Sequence, residues 1–286
     1  MAKRVRPGYW SRSLFWLELG IEGEDVAIRF RCLYDGTDFH GFQEQAGLIT
    51  IQGELQRVLS ALLGAGKVVG AGRTDSGVHA TGQVVVWRGD SAIPLDRVAQ
   101  VANGRLPRAI RLSEAMWVDE SWDPIRSPNQ KRYSYRLFRG EIPALPWLRY
   151  AWTCHRPLDF TVLEGAAALF CGTHDFRAFR GEGSSAKTTV RRVSVSRWIR
   201  EEEGSIWRYE VQADGFLYHM VRMMVGAMVE DAGRMAGHSV VDGLAHPLGM
   251  KVAMPAPARG LTLEQVIYGE SPHGLSSPPT PCPTVD

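Results

Sequence analysis

A change of hydrophobic period near the start of the chain constrains its fold more than any other feature. Ala27-Ile28-Arg29-Phe30-Arg31-Cys32-Leu33-Tyr34 alternates with period two, with Ile28, Phe30, Cys32 and Tyr34 on one side and Arg29 and Arg31 on the other. That pattern predicts a half-buried strand. Beyond an Asp35-Gly36 turn, Ile51, Leu55, Val58, Leu59, Leu62 and Leu63 recur at three- and four-residue spacings, behind Thr50 as a cap and ahead of Gly64 as a stop. An amphipathic helix is expected there. Strands at Val68-Val69 and Gln83 to Trp87 flank a loop from Gly70 to Gly82, and a second helix runs from Pro94 to about Asn103. The pattern restarts after Trp122. Lys131 to Phe138 alternates, Leu163 to Phe170 reads as helix, Val190 to Ile199 and Ile206 to Ala213 alternate, and Phe216 to Met235 reads as a long helix. Met220, Met223, Met224, Ala227 and Met228 on that helix are expected to fill core gaps. Strand, helix and strands in each half predict an α+β fold, a duplicated unit of two layers.

With 286 residues, 44% of them hydrophobic, the chain has material for one large domain or two moderate ones without staples. The expected division is an N-terminal extension at 1–24, a first unit at 25–122, a second at 123–268, and a disordered tail at 269–286 that carries five prolines between Pro272 and Pro283. Cys32, Cys154, Cys171 and Cys282 form no CxxC pair, so neither a zinc site nor a secreted disulfide framework is indicated, and a cytoplasmic setting is the default. Neither a signal-peptide pattern nor an apolar run long enough to span a bilayer is present. No membrane association is therefore expected. His79, His174 and His219 lack ligand spacing with a nearby acid, so no metal is expected either.

Net charge is only +2, and the distribution is more telling. Arg126, Lys131, Arg132, Arg136 and Arg139 fall in one acid-free stretch with Tyr133 and Tyr135, and Arg177 to Arg200 forms a second basic stretch. Such stretches suit either a groove that tracks phosphates or a solvated strand face.

The loop Gly70-Ala71-Gly72-Arg73-Thr74-Asp75-Ser76-Gly77-Val78-His79-Ala80 fits none of the common motifs. A dinucleotide fingerprint would need glycine where Asp75 stands, a phosphate loop would need Ser or Thr where Val68 follows Gly66-Lys67, and a nucleophile elbow would need glycines at Thr74 and Val78. Asp75-Ser76-Gly77 matches the aspartic-protease turn, but that chemistry needs two carboxylates, and a second Asp-Ser/Thr-Gly is lacking. Only a protease built as a dimer could supply the pair. What remains is one carboxylate on a tight turn, flanked by Arg73 and His79, which serves either chemistry or a local Asx turn.

Ala71 to Ala80 resembles the catalytic loop of the TruA-type tRNA pseudouridine synthases. Other blocks of that family follow in order: Tyr34 to Gln43 with Thr50-Ile51-Gln52, Asn103 with Leu106-Pro107, Lys131-Arg132-Tyr133-Ser134-Tyr135, His174-Asp175-Phe176 with Phe179-Arg180, Phe216 to Arg222 with Val225-Gly226, and Ala256 to Leu261 with Val266 and Tyr268. The resemblance runs from about Val26 to Tyr268. It implies two similar subdomains around a central RNA-binding cleft with a mixed, mainly antiparallel sheet. It also implies isomerisation of uridine to pseudouridine in the anticodon stem-loop of tRNA, at nucleotides 38–40, with no cofactor, by a homodimer.

By that resemblance Asp75 is the catalytic aspartate, Tyr133 stacks on the target base, and Arg222 pairs with the carboxylate. Arg73 fills the space vacated by a flipped base, at a cost of unstacking of a few kcal/mol. Lys131, Arg132 and Arg180 are expected to bind substrate, and Phe39, His40 and Phe42 to line the RNA path. Two stretches depart from the family pattern. Trp122-Asp123-Pro124-Ile125-Arg126 replaces a Phe-His-Ala-Arg run, which moves the expected phosphate contact to Arg126, and His246 to Pro255 lacks the usual small-residue loop. A non-catalytic RNA-binding protein is the alternative reading, and the intact Asp75 argues against it.

Overall fold

The structure is a computed structural model that describes residues 26–183, 186–201, 204–233, 239–248 and 253–269. The expected N-terminal extension and nearly all of the expected tail lie outside these residues. Ten strands are described: β1 (Val26–Tyr34), β2 (Gly66–Gly70), β3 (His79–Gly89), β4 (Ile110–Asp119), β5 (Pro128–Phe138), β6 (Trp152–Thr153), β7 (Gly172–Asp175), β8 (Val190–Glu201), β9 (Ile206–Ala213) and β10 (Leu261–Tyr268). The helices are α1 (Ile51–Leu63), α2 (Leu95–Asn103), α3 (Leu145–Tyr150), α4 (Phe160–Ala168), α5 (Met220–Ala232) and α6 (Ser239–Ala245).

The strands form one sheet in the order β4-β1-β3-β10-β5-β9-β8-β7, with β2 beside β3 and β6 beside β5. The pairings are antiparallel except β10 with β3 and β6 with β5. The last strand among the described residues, β10, thus lies between the two halves and joins them. Its place at the centre depends on Gly82 of β3, where a Cβ would stand 2.1 Å from the Glu264 carbonyl oxygen. Side chains at that point would push the two strands apart.

Period two in β1 sends Ile28, Phe30, Cys32 and Tyr34 into the core. Facing them is α1, whose Ile51, Leu55, Val58, Leu59 and Leu63 are buried. Its first turn is closed by the Thr50 hydroxyl, which accepts from the Gly53 amide at 3.2 Å, and Gly64 ends it at φ +99°. In the second half Tyr135, Leu137, Tyr209 and Val211 pack with α4 and α5, and Met220, Met223, Met224 and Met228 are fully buried as gap-fillers.

Several boundaries differ from the sequence expectation. β3 already begins at His79, so the loop is 71–78 rather than 70–82. The long helix begins only at Met220, because His219 sits in the left-handed region at φ 61° and breaks the helical path. β4, β6, β7, β10, α3 and α6 are added. Cys32 and Cys154 are free and buried.

The back of the sheet, away from α1, α4 and α5, is polar. Arg31 meets Glu114 at 2.8 Å, Arg197 meets Glu210 at 2.7 Å, Arg208 meets Glu201 at 2.5 Å, and Glu264 accepts from Thr81 at 2.8 Å and Ser134 at 2.5 Å. Of the basic stretches counted in the sequence, Arg197 and Arg136 are paired with acids on these strands.

Candidate active site

Loop 71–78 connects β2 to β3 and is held from several sides. The segment after β1 forms its floor: the Phe42 amide donates to the Thr74 carbonyl at 3.0 Å, Ser76 Oγ donates to the Phe39 carbonyl at 3.1 Å, and the Tyr34 and Thr74 hydroxyls lie 2.8 Å apart. Close approach here needs glycine, since a Cβ on Gly36 would stand 2.0 Å from the Val78 carbonyl oxygen. Phe39 and Phe42 are buried, 6% and 3% exposed, so they carry the loop from beneath instead of lining an RNA path; only His40 of that trio is exposed.

Lys131 also supports the loop. Its Nζ donates to the Ala71 carbonyl at 2.9 Å and lies so near Gly72 that a Cβ there would be 2.7 Å away. Burial lowers the pKa of this ammonium. Arg132, next on β5, points the other way by strand alternation and donates to Gln212 Oε1 at 2.9 Å on the polar back. It is not brought to the loop.

Asp75 stands at the centre, its side chain 19% exposed. Arg222, on the first turn of α5, brings Nη1 to 3.0 Å from Asp75 Oδ2, while its Nε donates to the Ala256 carbonyl at 2.7 Å. The guanidinium is thus fixed at both ends, a geometry lysine could not reproduce. The segment carrying Ala256 fits against α5 because of Gly226, where a Cβ would meet the Met254 carbonyl oxygen at 2.1 Å. His219 adds a second contact, with Nε2 at 3.3 Å from the same Oδ2.

Tyr133 lies beneath, 9% exposed, edge-on to Phe216 with ring centroids 5.0 Å apart. Burial first, and then the negative charge of Asp75, pushes its pKa well above the ordinary phenol value. Its hydroxyl therefore stays protonated and can donate but not serve as a base.

Arg73 is exposed on the loop, and Arg180 borders an open hollow of about 450 Å³ with Arg177, Lys187, Thr188 and Thr189. Among the described residues no ion pair holds Arg73, Arg180 or Lys187. The departing segment packs as structure: Trp122 lies against Tyr268 and Arg29, and Tyr268 donates to the Pro124 carbonyl at 3.2 Å. Arg126 is left exposed, 3.6 Å from Asp123. Residues 249–252 of the second departing stretch lie outside the described residues.

His79, singled out beside Asp75, faces away from it. Its Nδ1 accepts from the Gly36 amide at 3.1 Å, so Nε2 carries the hydrogen toward the carbonyls of Arg149 and Arg259, both at 3.2 Å. Burial lowers its pKa although Asp35 opposes this. Among the described residues no cluster of three His, Cys, Asp or Glu could hold a metal ion, and no helix is long and apolar enough to cross a membrane. Sequence reasoning missed one residue here. The sequence marks His219 only as a histidine without metal-ligand spacing and as part of the Phe216 to Arg222 block; its place three residues before Arg222 at a helix entry is the available signal.

Comparison with known proteins identifies a family. The model of the family described as tRNA pseudouridine synthase matches residues 32–124 and 166–269. A protein of Acetivibrio thermocellus named tRNA pseudouridine synthase A is 37% identical over 237 residues, which covers 82% of this chain and 96% of the relative. A namesake from Moorella thermoacetica is 38% identical over 248 residues, covering 84% and 99%.

Proposed function

Because the chain belongs to the tRNA pseudouridine synthase family, an isomerase family with an α+β fold, we propose that it converts uridine to pseudouridine at nucleotides 38–40 of the tRNA anticodon stem-loop, with Asp75 as the catalytic carboxylate. The observation that carries this reading is the single half-buried carboxylate on a rigid loop, 3.0 Å from Arg222 and beside a tyrosine that stays protonated. Isomerisation breaks the bond between N1 of uracil and C1′ of ribose, turns the base, and joins C5 to C1′. The C5 proton leaves and N1 gains one, so the reaction is balanced without a further reactant. A carboxylate serves by adding to the base, by adding to C1′, or by taking a proton, and all three need the one fixed position Asp75 occupies.

A stem uracil reaches Asp75 only after leaving the stack. Arg73, exposed on the same loop, fills the gap, stacking on neighbouring bases while bonding to phosphate. Tyr133 supports the turned base, and Arg180 contacts the RNA backbone together with Lys187. The working form is a homodimer in the cytoplasm.

Asp75→Asn keeps the loop's shape and removes the reacting carboxylate. Release of tritium from tRNA labelled at uridine C5 should vanish while tRNA affinity changes little. Arg73→Ala should weaken both, with the stacking contribution at about 1–3 kcal/mol. Near-normal tritium release by Asp75→Asn would end the proposal.

A further inference from the structure

The mechanism above uses Arg222 and leaves His219 unexplained. Both groups reach the same oxygen of Asp75, Oδ2, at 3.0 and 3.3 Å. To do so His219 adopts φ 61° and ψ 2°, one of two non-glycine residues with positive φ among the described residues. Non-glycine residues enter that region uncommonly, histidine more readily than most, and such conformations persist where surrounding structure enforces them.

The enforcement is visible on the other side of the ring. Tyr218 stacks on the imidazole with centroids 3.8 Å apart, and the Tyr218 carbonyl accepts from the Gly181 amide at 2.8 Å. A Cβ on Gly181 would lie 2.9 Å from His219 Nδ1 and 2.9 Å from Tyr218 Cδ1. The turn after Phe179 therefore clamps the ring between Gly181 and Asp75. A left-handed cap costs stability and adds nothing to the packing of α5, whose buried residues begin at Met220.

We infer that His219 is a positioning residue for pseudouridine formation: with Arg222 it occupies Oδ2 of Asp75, fixes the carboxylate rotamer, and presents Oδ1 as the oxygen that meets the substrate. This rests on Asp75 being the catalytic carboxylate. The Arg222 hydrogen bond and the His219 ring contact converge on one oxygen and together stop rotation about the Cβ–Cγ bond, which one contact alone permits. Misorientation of the reacting oxygen lowers turnover and leaves RNA binding intact, because neither donor is needed to hold the backbone.

The test compares His219→Gly with His219→Gln in the full chain, using tRNA labelled at uridine C5 and isolated from cells lacking the enzyme. Glycine takes the left-handed conformation freely, so the fold is kept and the melting temperature should hold or rise. Its kcat should fall at least about tenfold with KM changed less than about twofold. Glutamine can place an amide N–H where Nε2 stood and should recover most of that loss. A second variant, Gly181→Ala, keeps both side chains but presses its Cβ against the His219 ring, 2.9 Å from Nδ1, and should also lower kcat and spare KM. Undiminished kcat in His219→Gly, a loss confined to KM, or a glutamine variant no better than glycine would overturn the assignment. Asp75→Asn is run beside them. If it is dead while His219→Gly is fully active, only the role of His219 falls; if it is active, the catalytic reading itself falls.

Discussion

Gly226→Ala should destabilise this protein and slow it, although the same exchange inside an exposed helix stabilises by up to about 1 kcal/mol. The new methyl would stand 2.1 Å from the Met254 carbonyl oxygen, where ordinary contact begins near 3.4 Å. α5 and the segment before β10 must then separate by more than an ångström. That separation strains two hydrogen bonds, from the Ala256 amide to the Arg222 carbonyl at 2.9 Å and from Arg222 Nε to the Ala256 carbonyl at 2.7 Å. Overpacking costs about 1–3 kcal/mol, and each weakened bond adds about 0.5–1.5 kcal/mol. The sum, about 2–6 kcal/mol, lowers the melting temperature by about 3–10 °C in a chain of this size. Displacing Arg222 by an ångström misplaces Asp75 and should cost about a hundredfold in turnover. Calorimetry and single-turnover tritium release measure the two effects. Gly165→Ala on α4, where a Cβ meets nothing within 4 Å, is the matched control and should leave activity alone and hold or raise stability. A Gly226→Ala protein as stable as wild type would refute the close approach and the argument that fixes Arg222.

Lys131→Met should reduce turnover about tenfold by removing a charge-assisted bond to the Ala71 carbonyl, yet leave the salt dependence of tRNA binding unchanged. A phosphate contact by Lys131 would instead lower the slope of log affinity against log salt by about 0.7–0.9. Stability should fall in mild acid because of His79. Its folded pKa lies below the ordinary 6.5, so the unfolded chain takes up the proton first; the stabilisation is present above pH 6.5 and is lost as pH drops below it, by up to about 1.4 kcal/mol per unit. Melting temperatures of wild type and His79→Gln between pH 7.5 and 5 check this, and a wild-type value that does not drop over that range would contradict it.

The local elements were legible in the sequence because each is dictated by nearest neighbours along the chain. Alternation placed β1 and the core of β5, and Thr50 and Gly64 bounded α1, since caps and periods act within one turn. The Asp75 loop was legible as a motif, and Arg222 as its expected partner. What the sequence could not show is which face of the sheet each residue reaches and what lies across from it. Lys131 and Arg132 are adjacent in one basic stretch, yet strand alternation turns the first under the catalytic loop and the second into the polar back. β10 runs between β3 and β5 through pairings that join residues more than a hundred positions apart, and no local signal marks it as central. Phe39 and Phe42 became loop supports, and His219 met Asp75, only when the tertiary fold closed those distances. Periodicity determines which residues are buried, because burial follows the geometry of a single element. Contact between charges and donors depends on how elements pack, and that is decided only in three dimensions.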